Sequence, residues 1–202
     1  MQKLIYLLRH EESKAQTEEE LSFDAELSEK GRQNSFLIQE KFNGVFFDKV
    51  FVSPLKRARE TYEIAEIAKN RLRTSHIENQ IKFDARLIEA MPKGSYDAIL
   101  PYKCEEKIVN SDAWNKDIKV NLENFICDLR KDNFKTCLII GHNGFFNLML
   151  KYILGVQDIN YKTAFENYCR IDNGSFSLIA IDDENPKKDC IKFWNIRELR
   201  ND

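Results

Sequence analysis

The sequence predicts an α/β protein: a three-layer sandwich in which a mainly parallel sheet of about six strands carries helices on both faces. Three observations carry that expectation. Short apolar runs alternate with longer stretches whose apolar residues recur at helical spacing, the order expected of parallel strands joined by crossover helices. The first run, residues 4–8, is nearly all apolar, as suits a strand covered on both faces. The last two runs are separated only by the polar turn Asp182-Asp183-Glu184-Asn185-Pro186, as paired strands are.

Taken in order, residues 4–8 read as the first strand and 28–42 as a helix with Ser28 at its N-cap. Residues 49–52 read as the second strand. The helix at 55–72 follows Ser53-Pro54, a good helix start, and its stripe of Leu55, Ala58, Tyr62, Ala65 and Ala68 has helical spacing. A third strand is expected at 82–87. Residues 122–129 and 145–154 are apolar at helical intervals, and the second stretch stops at Gly155. Between them lies a strand at 136–140. A short helix is expected at 161–168, then strands at 176–181 and 191–196. Residues 90–117 are the least periodic. The expected organisation is one domain over 1–202, with a short irregular insertion around 90–118 that covers the active site.

Composition narrows the function classes. Among 202 residues, 33 acidic side chains balance 31 basic ones, for a net charge of -2. That balance argues against nucleic acid as a partner, which would call for a basic excess. With 43% hydrophobic and 32% charged residues the chain is not of the disordered class. No run approaches the roughly 20 apolar residues of a membrane helix, so no membrane partner is expected. The five cysteines, Cys104, Cys127, Cys137, Cys169 and Cys190, are odd in number and widely spaced. They argue against a disulfide framework or a zinc knuckle and for a reducing, cytoplasmic setting.

Open α/β sheets bind ligands beyond the carboxyl ends of their strands. Arg9-His10 ends the first run, and Ser53-Pro54 ends the second, with Arg57 in the first turn of the helix that follows. Leu87-Ile88-Glu89 ends the third, and Gly141-His142-Asn143-Gly144 ends the fourth. Two of the three histidines therefore stand at strand ends, together with two arginines and a glutamate. That set makes a poor core and a good pocket for phosphate. The remaining histidine, His76, lies among polar residues and reads as surface; Trp114 reads equally as pocket lining or as packing.

These residues resemble the histidine phosphatase superfamily, the phosphoglycerate-mutase-like group, over residues 3 to about 180. The family's Arg-His-Gly motif appears as Arg9-His10-Glu11, and its Asp-x-x-Leu-Ser-x-x-Gly turn as Asp24 through Leu27, Ser28 and Gly31. Its Ser-x-Leu-x-Arg-Ala-x-x-Thr segment appears as Ser53, Leu55, Arg57, Ala58 and Thr61, its Leu-x-Glu as Leu87-Ile88-Glu89, and its second histidine motif as Gly141-His142-Asn143-Gly144. A late Asn173-Gly174-Ser175 also fits. Two positions depart from the pattern: Glu11 and Asn143 stand where the family has glycine. Glu11 is expected to crowd the pocket or repel an anion.

The resemblance implies a phosphoglycerate mutase-like fold and phosphoryl transfer through a phosphohistidine on His10. Arg9, Arg57 and His142 would hold the phosphoryl oxygens, and Glu89 would be the acid and base; Glu11, Glu12 and Asp84 are the alternative acids. Ser13, Gln16 and Asn143 are expected substrate-binding residues, and backbone donors after His142 are expected to add an anion cradle. Side chains would neutralise the charge, so neither metal nor cofactor is expected. The expected partner is a small phosphorylated substrate; an exposed sheet edge or helix leaves a homodimer open. The leading function is a phosphomonoesterase. A mutase or a protein phosphohistidine phosphatase are alternatives within the family, and a phosphate-binding scaffold is the alternative of another class. The interval from Glu89 to His142 must also hold a helix and a strand, which leaves little chain for a water-excluding lid and favours hydrolysis.

Overall fold

The structure, a computed structural model, describes residues 1–20, 22–73, 80–89, 118–157, 159 and 169–197, together with the backbone of 102–104 and 107–109. Six strands form one sheet: β1 (Gln2–Arg9), β2 (Lys49–Val52), β3 (Ile81–Phe83), β6 (Thr136–Gly141), β7 (Phe176–Asp182) and β8 (Cys190–Ile196). Their spatial order is β3-β2-β6-β1-β7-β8. The first four are mutually parallel, and β7 pairs antiparallel with both β1 and β8. A separate antiparallel hairpin, β4 (Tyr102–Cys104) with β5 (Lys107–Val109), lies within the stretch read as irregular. The expected helix at 161–168, His76 and Trp114 lie outside the described residues.

Why the sheet is covered on both faces is visible in its central strands. Side chains alternate across a strand. Along β1, Ile5 and Leu7 join one core, while Tyr6 and Leu8 join the other. Along β6, Cys137 and Ile139 go to the first, Leu138 and Ile140 to the second. The first core is closed by α5 (Ile118–Lys131), through Leu122, Phe125, Ile126 and Leu129, and by α6 (Asn143–Ile153), through Phe145, Phe146, Leu148 and Met149. The second is closed by α2 (Ile38–Lys41), through Ile38, with Phe42 just beyond it, by α3 (Lys56–Ile64), through Ala58, and by Ile67 of α4 (Ile67–Arg71). Those are the three layers.

Three elements differ from expectation. The helix expected at 28–42 is two: α1 (Glu29–Ser35) and α2, separated at Phe36 and Leu37, both exposed. The redirection sends Ile38 and Phe42 into the aromatic cluster of Tyr6, Phe47 and Phe176. The helix expected at 55–72 also breaks, at Glu66, whose φ of 47° is left-handed, and the bend buries both Ala65 and Ile67. The third strand stops at Phe83. Asp84 then caps a 3-10 turn, Ala85–Leu87, by accepting from the Arg86 N–H, and the turn carries the chain to Glu89.

Candidate active site

Register alone brings the two histidines together. Arg9 of β1 pairs with Gly141 of β6, so the residues that follow, His10 and His142, leave the sheet side by side. The His10 N–H donates to the Gly141 carbonyl at 3.0 Å, and the ring centroids are 4.9 Å apart. Both rings are buried.

The tautomer of His10 follows from its partners. Nδ1 lies 2.6 Å from the Glu11 carbonyl, which can only accept, so Nδ1 carries the hydrogen. Nε2 receives the Arg57 Nε–H at 3.1 Å, so Nε2 carries the lone pair. Burial holds His10 well below its usual 6.5, and Arg57 and then Arg9 add to the effect. Desolvation is the larger cause.

Arg57 is buried on α3, and its Nη1 donates to the Phe23 carbonyl at 2.5 Å while its guanidinium lies over the Phe23 ring. Burial pushes it down to about 10, against the opposing pull of Glu89 and Asp24. Arg9 donates through Nη1 to the Ile171 carbonyl at 2.5 Å. His142 lies against Ser53, which ends β2, with Nε2 and the hydroxyl 2.7 Å apart. Its Nδ1 is buried with no hydrogen-bond partner among the described residues. Burial, with Arg57, His10 and Arg9, also holds His142 well below 6.5.

Glu89 completes the group. Its Oε1 accepts from the Gly144 N–H at 2.8 Å, and the Phe145 N–H also bonds its carboxylate. The expected backbone anion cradle is therefore already taken: the start of α6 holds Glu89. Burial raises this carboxyl above its usual 4.5, although Arg57 and Arg9 oppose the shift. The alternative acids are engaged elsewhere. Asp84 pairs with Arg86 at 2.6 Å; Glu12 accepts from Ser28 Oγ at 2.9 Å and pairs with Lys30 at 3.3 Å.

The sequence expected Glu11 to intrude on the pocket, and it does not. Its carboxylate pairs with Lys41 at 3.8 Å and accepts from the Asn34 side chain and the Glu12 N–H. Glu11 is not among the charges that shift His10.

The structure thus unites His10, His142, Arg9, Arg57 and Glu89. The recorded bonds of Ser13, Gln16 and Asn143 run to protein partners. The Ser13 N–H and hydroxyl both donate to Gln16 Oε1, and the Gln16 amide bonds that of Asn173. Asn143 Oδ1 accepts from the Ile171 N–H at 3.2 Å and from Asn147 Nδ2 at 3.1 Å. Through Ile171 this clamp reaches Arg9. Ser53, Asn147 and Asn173, whose Nδ2 donates to the His10 carbonyl at 3.0 Å, are supporting residues absent from the sequence-derived site. Ser53 and Asn173 stood inside motifs already noted; nothing local marked Asn147.

A family model for the histidine phosphatase superfamily (branch 1) matches residues 5–193. The chain belongs to the histidine phosphatase superfamily. Among solved structures it resembles the alpha-ribazole phosphatase of Shigella flexneri, with 20% identity, a TM-score of 0.68, and coverage of 98% of this chain and 99% of that one. It also resembles a mycobacterial glucosyl-3-phosphoglycerate phosphatase, with 16% identity, a TM-score of 0.64, and 97% and 100% coverage. A third likeness is the phosphoserine phosphatase of Entamoeba histolytica, with 17% identity, a TM-score of 0.63, and 96% coverage of each chain. At these identities the likeness establishes a shared fold. A search of curated protein sequences finds no match. Among the described residues no helix is long and apolar enough to cross a membrane.

Proposed function

We propose that the protein is a phosphatase that hydrolyses the phosphomonoester of a small metabolite through a phosphohistidine on His10, without a metal. The observation that carries this reading is the His10 ring itself. It is buried and held neutral, its lone pair is on Nε2, and its other nitrogen is tied to the Glu11 carbonyl. A neutral imidazole so oriented is a nucleophile.

Nε2 attacks phosphorus and forms the N–P bond as the P–O bond to the alcohol breaks. The leaving oxygen takes its proton from Glu89, whose raised pKa favours the acid form. Water then attacks the phosphohistidine and gives its proton to the Glu89 carboxylate, and the N–P bond breaks to release inorganic phosphate. Arg57 moves its hydrogen bond from Nε2 to a phosphoryl oxygen as substrate enters. Arg9 contributes a second cation, and His142, with the Ser53 hydroxyl donating to Nε2, presents Nδ1–H to a third oxygen.

Hydrolysis is favoured over mutase chemistry because α5 and β6 both fall within the interval between Glu89 and His142 and shorten the chain left for a water-excluding lid. The burial of the Glu11 carboxylate beside Lys41 supports the enzyme reading over the scaffold alternative.

The test uses an aryl phosphate and purified protein. Turnover should survive a chelator and be inhibited by vanadate. Acid-labile phosphate should be trapped on wild type and not on His10→Ala, whose kcat/KM should fall at least about 10³-fold. Activity unchanged in His10→Ala would overturn the proposal.

A further inference from the structure

A carboxylate buried beside a nucleophile is costly unless something holds it. Glu11 is 2% exposed and follows His10 directly. Its side chain fills a slot that exists only because residue 174 is glycine. A Cβ on Gly174 would come 1.7 Å from Glu11 Oε1, and Gly174 has a φ of +64°. Lys41 lies 3.8 Å from the carboxylate and donates to the Gly174 carbonyl at 2.7 Å, so it clasps the side chain and its slot together. The same turn grips the end of β1, because the Gly174 N–H donates to the Arg9 carbonyl at 3.1 Å.

The backbone of Glu11 reaches the site. Its N–H donates to Thr61 Oγ1 at 3.1 Å, and its carbonyl accepts the Nδ1–H of His10. Which imidazole nitrogen carries the hydrogen is set by the partner of the other. Were that carbonyl to swing away, Nδ1–H would lose its acceptor and only the Arg57 Nε–H would still oppose a hydrogen on Nε2, where it would block attack on phosphorus.

We propose that Glu11 is a positioning residue: its carboxylate, seated in the Gly174 slot and clasped by Lys41 and Asn34, holds the peptide whose carbonyl selects the reactive tautomer of His10. The catalytic consequence rests on the phosphohistidine reading; the tautomer does not, and it can be read in the resting protein.

The experiment measures the side-chain ¹⁵N shifts of His10 at pH 7.5, alongside aryl phosphate hydrolysis and thermal melts. Wild type should show the Nδ1–H form. Glu11→Ala should show mixed tautomers, with kcat down at least tenfold and KM within threefold. Glu11→Gln keeps the volume and the polar contacts and should stay within threefold of wild type. Gly174→Ala evicts the carboxylate from the other side and should reproduce the tautomer shift of Glu11→Ala. A folded Glu11→Ala with wild-type His10 shifts overturns the proposal; if that variant does not fold, unchanged shifts in Gly174→Ala or in Lys41→Met do so. Shifted tautomers in the variants of a wild type that lacks phosphatase activity would refute the phosphohistidine reading alone.

Discussion

In the proposed mechanism Ser53 acts through another side chain. Its hydroxyl is 2.7 Å from His142 Nε2, and losing it frees the ring to rotate and to change tautomer. Ser53→Ala should lower kcat/KM at least about tenfold, approaching the loss of hundredfold or more seen when a direct donor is removed. Phosphohistidine should still form on His10, because that nitrogen is untouched. Steady-state kinetics with a trapping assay separates the two. In the proposed mechanism the pH profile is decided by His10 and Glu89. His10 must be neutral to attack, and burial with Arg57 and Arg9 keeps it neutral well below 6.5, so the acid limb should lie below that pH. Glu89 must carry a proton, and burial raises its pKa above 4.5, so the rate should fall as pH rises through that higher value. The optimum should lie between the lowered pKa of His10 and the raised pKa of Glu89. Glu89→Gln should remove the alkaline limb and lower kcat by about 10²–10⁴-fold. An alkaline limb that persists unchanged in Glu89→Gln would rule Glu89 out as the acid.

Helix α1 owes its seat to one missing methyl group. Ser28 caps it, with Oγ accepting from the Gly31 N–H at 3.0 Å and donating to Glu12 Oε1 at 2.9 Å. A Cβ on Gly31 would lie 2.0 Å from the Glu12 carbonyl oxygen, and backbone on both sides leaves nothing flexible to yield. Gly31→Ala should cost about 1–3 kcal/mol, as overpacking does, read as a lower urea midpoint at unchanged m. Elements of this kind divide into those the sequence reveals and those it conceals. β2 runs from Lys49 to Val52, as its apolar run and the Ser53-Pro54 stop require. The break at Glu66 has no glycine, asparagine or proline to announce it, and it accompanies the burial of Ala65 and Ile67 in the core that also holds Ile38 and Phe42. The strand expected at 82–87 gives way to a turn just after Asp84, whose backbone N–H still bonds the Val52 carbonyl of β2 while its side chain caps the Arg86 N–H and starts the turn. Arg9, His10, Arg57 and His142 were legible because each stands at a strand end or at the start of the next helix; Glu89, which follows the 3-10 turn after β3, was found through its Leu-x-Glu motif. The destination of Glu11 was not, because it depends on a glycine 163 positions away.

At the scale of the molecule, the site sits on its most deeply enclosed strands. β1 and β6 occupy the middle of the sheet, each flanked by strands on both edges and by a core on both faces. Whatever perturbs their carboxyl ends therefore perturbs the global fold. The two imidazoles make that coupling measurable. Unfolded, each takes a proton near 6.5; folded, both are held well below that, with Arg9, Arg57, Ser53 and Glu89 around them. Where the unfolded state binds more protons, stability rises with pH. The protein should therefore be less stable at pH 5.5 than at pH 7.5, losing stability as the pH falls from 6.5 toward the folded values. Glu89 acts in the opposite sense, since its raised pKa contributes stability that is lost as pH rises through the folded value. The histidine contribution is isolated by comparing wild type with the His10→Gln/His142→Gln double variant, which keeps Glu89. Urea midpoints of the double variant should depend less steeply on pH between 5.5 and 7.5. Equal slopes would mean that both rings protonate as freely in the folded chain as in the unfolded one, and that the site is open to water rather than enclosed.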